Sequence, residues 1–101
     1  MKQPLFVYGT LRDPRILKKA IGRATKGIPA VALDYQRKTI QLNKEPFPII
    51  IKRKKSKVRG KLLFITEQEL KKLDEYEEAT IYKRKKVALE IGKTAWAYMP
   101  C

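Results

Sequence analysis

Few side chains in this chain can carry chemistry, because its 101 residues include no histidine and one cysteine, Cys101, at the very end. The lack of histidine excludes Ser–His and Cys–His nucleophiles and most zinc sites. Cys101 has no base to activate it and no internal partner for a disulfide, so it reads as a bystander. Proton transfer is left to carboxylates, tyrosines or lysines. Two stretches place such groups where they can work. In the first, the apolar run Leu5-Phe6-Val7-Tyr8 stops at Gly9 and continues as Thr10-Leu11-Arg12-Asp13-Pro14. Asp13 and Pro14 are an N-cap and a first helical residue. Strand, glycine turn and helix start leave amide N–H groups pointing one way, which suits a carboxylate; an ordinary first strand with a tight turn has the same pattern. The second stretch ends in Glu77. Thr66-Glu67-Gln68-Glu69 fits a capping box, and the helix behind it carries Leu70, Leu73 and Tyr76. Glu77 falls on the face of both leucines, so a carboxylate ends an apolar stripe. Alternatively the helix frays by Tyr76, Glu78-Ala79-Thr80 forms a loop, and Glu77 leaves the core.

The remaining elements must position these two stretches. Ile16, Leu17, Ala20 and Ile21 recur at helical spacing after Pro14, and Gly22 ends that helix. Ile28–Tyr35 reads as a strand, with Pro29 tolerated only near an edge or a strand start, and Thr39–Leu42 as a short one. Phe47–Ile51 and Val58–Ile65 read as two strands of a hairpin whose tip is Lys52–Lys57. Tyr82–Ile91 and Thr94–Met99 form a last hairpin through Gly92-Lys93, with Val87, Leu89 and Ile91 on one face. Two helices, about six strands and no regular βαβ alternation make an α+β domain, a single one over 1–101. No apolar stretch is long enough to span a membrane and no signal peptide precedes the first strand, so a cytoplasmic location is expected.

Charge points elsewhere. Lys and Arg number 24 against 10 Asp and Glu, a net charge of +14. Such a balance attracts nucleic acid or anionic small molecules. Lysine and glutamate enrichment at high growth temperature is a competing source, although glutamate is not abundant here. Seven of the ten residues from Lys52 to Lys61 are Lys or Arg, but no aromatic is interleaved to stack on bases, and a solvated hairpin accounts for them.

Tyr8-Gly9-Thr10-Leu11-Arg12 after an apolar strand resembles the opening motif of the gamma-glutamylcyclotransferase-like family, which includes the gamma-glutamylamine cyclotransferases. Three later features follow in that family's order. Val58-Arg59-Gly60-Lys61-Leu62 is similar to its V-x-G-x-L strand, Leu73-Asp74-Glu75-Tyr76-Glu77 to its L-D-x-Y-E helix end, and Tyr82-Lys83-Arg84 to its Y-x-R strand start. The resemblance implies a small mixed β-barrel or strongly curved sheet with the helices outside and a cavity near the Tyr8–Arg12 loop. It implies cyclisation of a γ-glutamyl amine or peptide to 5-oxoproline, with no cofactor and no metal, in a monomer or weak dimer. Glu77 matches the catalytic glutamate. Tyr8, Gly9, Thr10 and Leu11 match the loop that holds the glutamyl end, chiefly by backbone amides, and Tyr82 is a further substrate-binding candidate or a core aromatic. Tyr98 is ambiguous in the same way. Arg12 belongs to the motif, with an ion pair to Asp74 as its favoured role. Burial beside Leu70 and Leu73 is expected to bring Glu77 closer to neutrality. The family commonly has glycine after that glutamate, where this chain has Glu78, which leaves open an inactive homologue that keeps the pocket. The alternative functions are a basic domain that binds nucleic acid and a non-catalytic small-molecule-binding homologue.

Overall fold

The computed structural model of the chain describes residues 2–78 and 82–100, the side chain of Glu78 excepted. Its centre is β1 (Lys2–Val7), antiparallel to β3 (Glu45–Thr66) on one side and parallel to β5 (Thr94–Pro100) on the other. The strand is apolar on both faces because both are covered. Leu5 and Val7 pack under the helices, while Phe6 and the following Tyr8 enter a second core on the concave side. β2 (Ile28–Leu42) and β4 (Tyr82–Ala88) complete a five-stranded mixed sheet in the order β2-β3-β1-β5-β4. The sheet curls until its ends meet: Glu90 N–H donates to the Val31 carbonyl at 2.8 Å, beside a bridge between Ala32 and Leu89. This is the curled half-barrel with two helices that the motifs imply.

Gly60 permits the tight side of that curl. A Cβ there would stand 2.3 Å from the Val7 carbonyl oxygen and 2.8 Å from the Phe6 ring, so the glycine of the V-x-G-x-L strand gives Phe6 room between buried Val58 and Leu62.

Both helices carry the caps their sequences specify. In α1 (Pro14–Ile21) the Asp13 carboxylate accepts from Arg15 N–H at 2.9 Å, and Gly22 closes the helix in a left-handed conformation. In α2 (Glu67–Glu78) Glu69 N–H donates to the Thr66 hydroxyl at 3.1 Å while Thr66 N–H donates back to the Glu69 carboxylate at 2.8 Å. The helix does not fray at Tyr76: it continues through Glu78, while Ala79 and Thr80 of the expected loop lie outside the described residues, as does Cys101.

The strand count differs from the expected six, and the basic hairpin is absent. Ile49–Ile51 and Lys57–Leu62 both pair with β2, so Phe47–Ile51 and Val58–Ile65 belong to one long strand. The true hairpin turn is Asn43-Lys44, two residues with φ of 50° and 66° joining β2 to β3. Lys52–Lys57 forms instead a wide bulge opposite Asp34, whose carboxylate accepts from Lys55 N–H at 3.0 Å. Ile28–Tyr35 and Thr39–Leu42 likewise merge into β2, an edge strand, which is why Pro29 is tolerated. Ile91 does not share the buried face of Val87 and Leu89. Past the end of β4 it turns outward and is 62% exposed.

Candidate active site

A cavity of about 390 Å³ opens where three chain segments converge. One wall is the end of β1 and the following turn, Tyr8–Leu11. The second is Pro46-Phe47-Pro48 near the start of β3. The third is the end of α2, with Tyr76 and Glu77, and beside them stand Tyr82 and Tyr98. All six residues singled out in the sequence, Tyr8, Gly9, Thr10, Leu11, Glu77 and Tyr82, line this one cavity.

The convergence has local causes. After β1 the chain makes a single 3-10 turn over Thr10–Arg12, closed by Arg12 N–H to the Gly9 carbonyl at 3.1 Å and by Asp13 N–H to the Thr10 carbonyl at 2.9 Å. Leu11 anchors the turn in the helix-side core. Gly9 faces Pro48 so closely that a Cβ would lie 2.9 Å from the Pro48 ring, so the two walls meet in contact at this neck and only a glycine fits. On the opposite side Leu70 and Leu73 are buried to 2% and 0% and hold α2 down, so Glu77 is only 9% exposed.

Three phenols surround the carboxylate. The Tyr8 hydroxyl donates to the Tyr98 carbonyl at 2.5 Å, tying the end of β1 to β5. The Tyr82 hydroxyl donates to the Pro48 carbonyl, and its ring meets Phe47 edge-on at 6.4 Å, tying β4 to the Pro46–Pro48 wall. The Tyr98 hydroxyl donates to Asp74 at 2.7 Å. Burial raises the phenol of Tyr8 well above its ordinary range, reinforced by Tyr82 and the Glu77 charge. Burial and then Glu77 push Tyr82 up to about 12. Tyr98 is raised by burial and by its bond to Asp74. The phenols therefore stay protonated at neutral pH and act as walls and donors around the Glu77 carboxylate.

Two sequence readings need amendment. Arg12 does not pair with Asp74: its Nε donates to the Gly9 carbonyl at 3.1 Å, while Asp74 takes Arg84 at 3.3 Å. Arg84 reaches Asp74 because β4 runs beside α2, its guanidinium lying 4.4 Å from the Trp96 ring centre. Phe47 and Pro48 were legible only as the start of a strand, and Pro46 was left outside it. A proline on each side of an exposed-end aromatic was the available signal, but nothing local says which cavity it borders. No group of acidic or sulfur side chains among the described residues is arranged to hold a metal ion.

Residues 5–100 match the family model described as gamma-glutamyl cyclotransferase, AIG2-like. The chain belongs to that family. AIG2-like protein C of Arabidopsis thaliana is 36% identical over 92 residues, covering 90% of this chain and 52% of that protein. The chain thus spans about half the length of the curated relatives it matches. A second Arabidopsis thaliana protein, solved in solution, superposes with a TM-score of 0.82 at 28% identity over 98% of this chain and 68% of that one. A structure described as gamma-glutamyl cyclotransferase shares the fold with a TM-score of 0.80 at 19% identity, over 100% of this chain and 68% of its own. No helix among the described residues is long and apolar enough to cross a membrane.

Proposed function

We propose that the protein is a γ-glutamyl cyclotransferase, converting a γ-glutamyl amine or peptide to 5-oxoproline and a free amine. The observation that carries this reading is the convergence of a buried carboxylate, Glu77, and the Tyr8–Leu11 turn on one cavity, in a chain of this family. In the reaction Glu77 takes a proton from the substrate's α-ammonium. The freed amine adds to its own γ-carbonyl carbon and closes a five-membered ring. The bond from that carbon to the leaving nitrogen then breaks. Glu77 returns its proton to the leaving nitrogen, which also receives the surplus proton of the ring nitrogen and departs as an ammonium. Attack within one molecule needs no second substrate and gains from proximity, so orientation is what the protein must supply. The 3-10 turn after Gly9 offers amide N–H groups to the glutamyl carboxylate, and the rings of Tyr8, Tyr82 and Phe47 exclude water around the reacting atoms.

The test is incubation of the purified protein with a panel of γ-glutamyl compounds that differ in the departing amine, following 5-oxoproline. Product from at least one member supports the assignment. No product from any member, with ligand-induced stabilisation retained, would make this a binding homologue.

A further inference from the structure

We propose that a basic trough on the outer side of the Gly9–Pro48 neck receives the departing half of the substrate and selects leaving amines that carry two or more negative charges. The proposal rests on the cyclotransferase reading and narrows its substrate class. The trough is lined by Arg12, Arg37 and Lys61, with Asp13 at one side, and it shares Gly9 and Pro48 with the cavity that holds Glu77. Three elements contribute: Arg12 from the 3-10 turn, Arg37 from β2 and Lys61 from β3.

Its charge is only partly offset from within, by Asp13 beside Lys61. Asp13 is the acidic side chain of the trough, and its carboxylate is already committed to Arg15, through the backbone N–H at 2.9 Å and the guanidinium at 3.1 Å. No ion pair among the described residues takes up Arg12, Arg37 or Lys61. Arg12 and Arg37 lie close enough for each to feel the other's charge, and burial followed by Arg12 lowers Arg37 from the usual guanidinium range. Two guanidiniums and an ammonium beside a single carboxylate that is already paired with Arg15 leave the trough net positive, a site for a multiply charged anion. With the glutamyl end against Tyr8–Leu11, a departing half that runs over the Gly9–Pro48 boundary shared by cavity and trough meets these cations. A neutral alkylamine gains nothing there, and a cationic diamine is repelled.

The experiment compares kcat/KM for three conjugates with the same glutamyl end: γ-glutamyl-glutamate, γ-glutamyl-phosphoethanolamine and γ-glutamyl-ethylamide. The expected result is a preference of about tenfold or more for the two anionic conjugates over the ethylamide, the size three partly exposed charge contacts provide. It should appear mainly in KM, because the trough lies away from the reacting atoms. In Arg37→Gln/Lys61→Gln the ratio should fall to within about threefold, and raising the ionic strength should erode it in the wild type. Measuring all substrates on the same sample cancels any loss of folded protein. If only one anionic conjugate is preferred, the source of the anion is a carboxylate or a phosphate accordingly. Equal turnover of all three, or a preference that survives the double substitution, would overturn the trough and leave the cyclotransferase reading intact. No turnover of any conjugate would overturn both.

Discussion

Two glutamates sit on the same helix, each only 9% exposed, and their surroundings differ. Glu69, in the first turn of α2, is gripped on all sides: Arg23 approaches at 2.5 and 2.9 Å, and Thr66 N–H donates at 2.8 Å. Glu77, two turns later, stands at a cavity among three phenols. The ion pair and hydrogen bonds hold Glu69 below the usual carboxylate range against a smaller effect of burial, so it stays charged and inert. Burial therefore does not mark a reactive carboxylate. What distinguishes the two is their surroundings: Glu69 faces the fixed guanidinium of Arg23, whereas Glu77 borders a cavity of about 390 Å³.

The largest expected effect breaks the comparison at Glu77. In Glu77→Gln the shape and hydrogen-bonding reach remain but the proton acceptor is gone, so turnover should fall by roughly 10²–10⁴-fold. Thermal stability should stay level or rise, since a buried charge has been removed, and substrate binding should persist. Steady-state kinetics, a melting curve and a binding titration on one preparation decide it. An unchanged rate would return Glu77 to a structural role. Next in size is Gly9→Val, which sharpens the assignment from the other wall. A Cβ 2.9 Å from Pro48 closes the neck, so affinity for a γ-glutamyl ligand should drop at least about tenfold, the cost of a misplaced contact in a formed pocket, while the far-ultraviolet spectrum is unchanged. Retained affinity in a folded variant would remove the turn from the binding site.

Glu69→Gln tests the structural end. Glutamine still serves the capping box, so the variant removes only the charge facing Arg23. Denaturant unfolding at neutral pH should show a loss of about 1 kcal/mol, with kcat per folded molecule unchanged. The pH dependence has a definite sign. A carboxylate held low by its partner stabilises fully above its unfolded value, near 4.3, and loses that stabilisation as pH falls through the lower folded value. The gap between wild type and Glu69→Gln should therefore narrow as pH falls from about 4.3 towards and below the lower folded value, and a gap that stays constant through that acid range would show the ion pair is not its source. The smallest effect is that of Tyr82→Phe. It deletes the bond to the Pro48 carbonyl and leaves the ring in place, for a loss of about 0.5–1.5 kcal/mol in unfolding free energy. A loss in turnover as large as that of Glu77→Gln would instead give Tyr82 a direct part in proton transfer.

Much of the scaffold was readable because its causes are local. The Asp13-Pro14 start, the Gly22 stop and the Thr66–Glu69 box each concern residues a few positions apart, and each appears as read. Glu77 was placed on the leucine face by helical period alone. The Lys52–Lys57 tip failed for a non-local reason. Charged residues with no apolar alternation resemble a turn, yet β2 pairs with the chain on both sides of them and carries the strand through. Arg12 and Asp74 were paired on charge sign, whereas Asp74 is met by Arg84 and Tyr98, from strands that only the folded sheet brings beside α2.

The sequence by itself determined where both helices start and where the first one stops, which helix faces are apolar, and that proton chemistry without histidine must fall to carboxylates, tyrosines or lysines. These follow from backbone geometry and side-chain chemistry over a few residues. Only the tertiary structure decided that Pro46–Pro48 closes the cavity, that Glu69 meets Arg23 while Glu77 lines the cavity, and that three cations from three elements gather beyond Gly9. Those outcomes depend on how far a five-stranded sheet curls, and the curl sums packing contacts between residues distant in the chain.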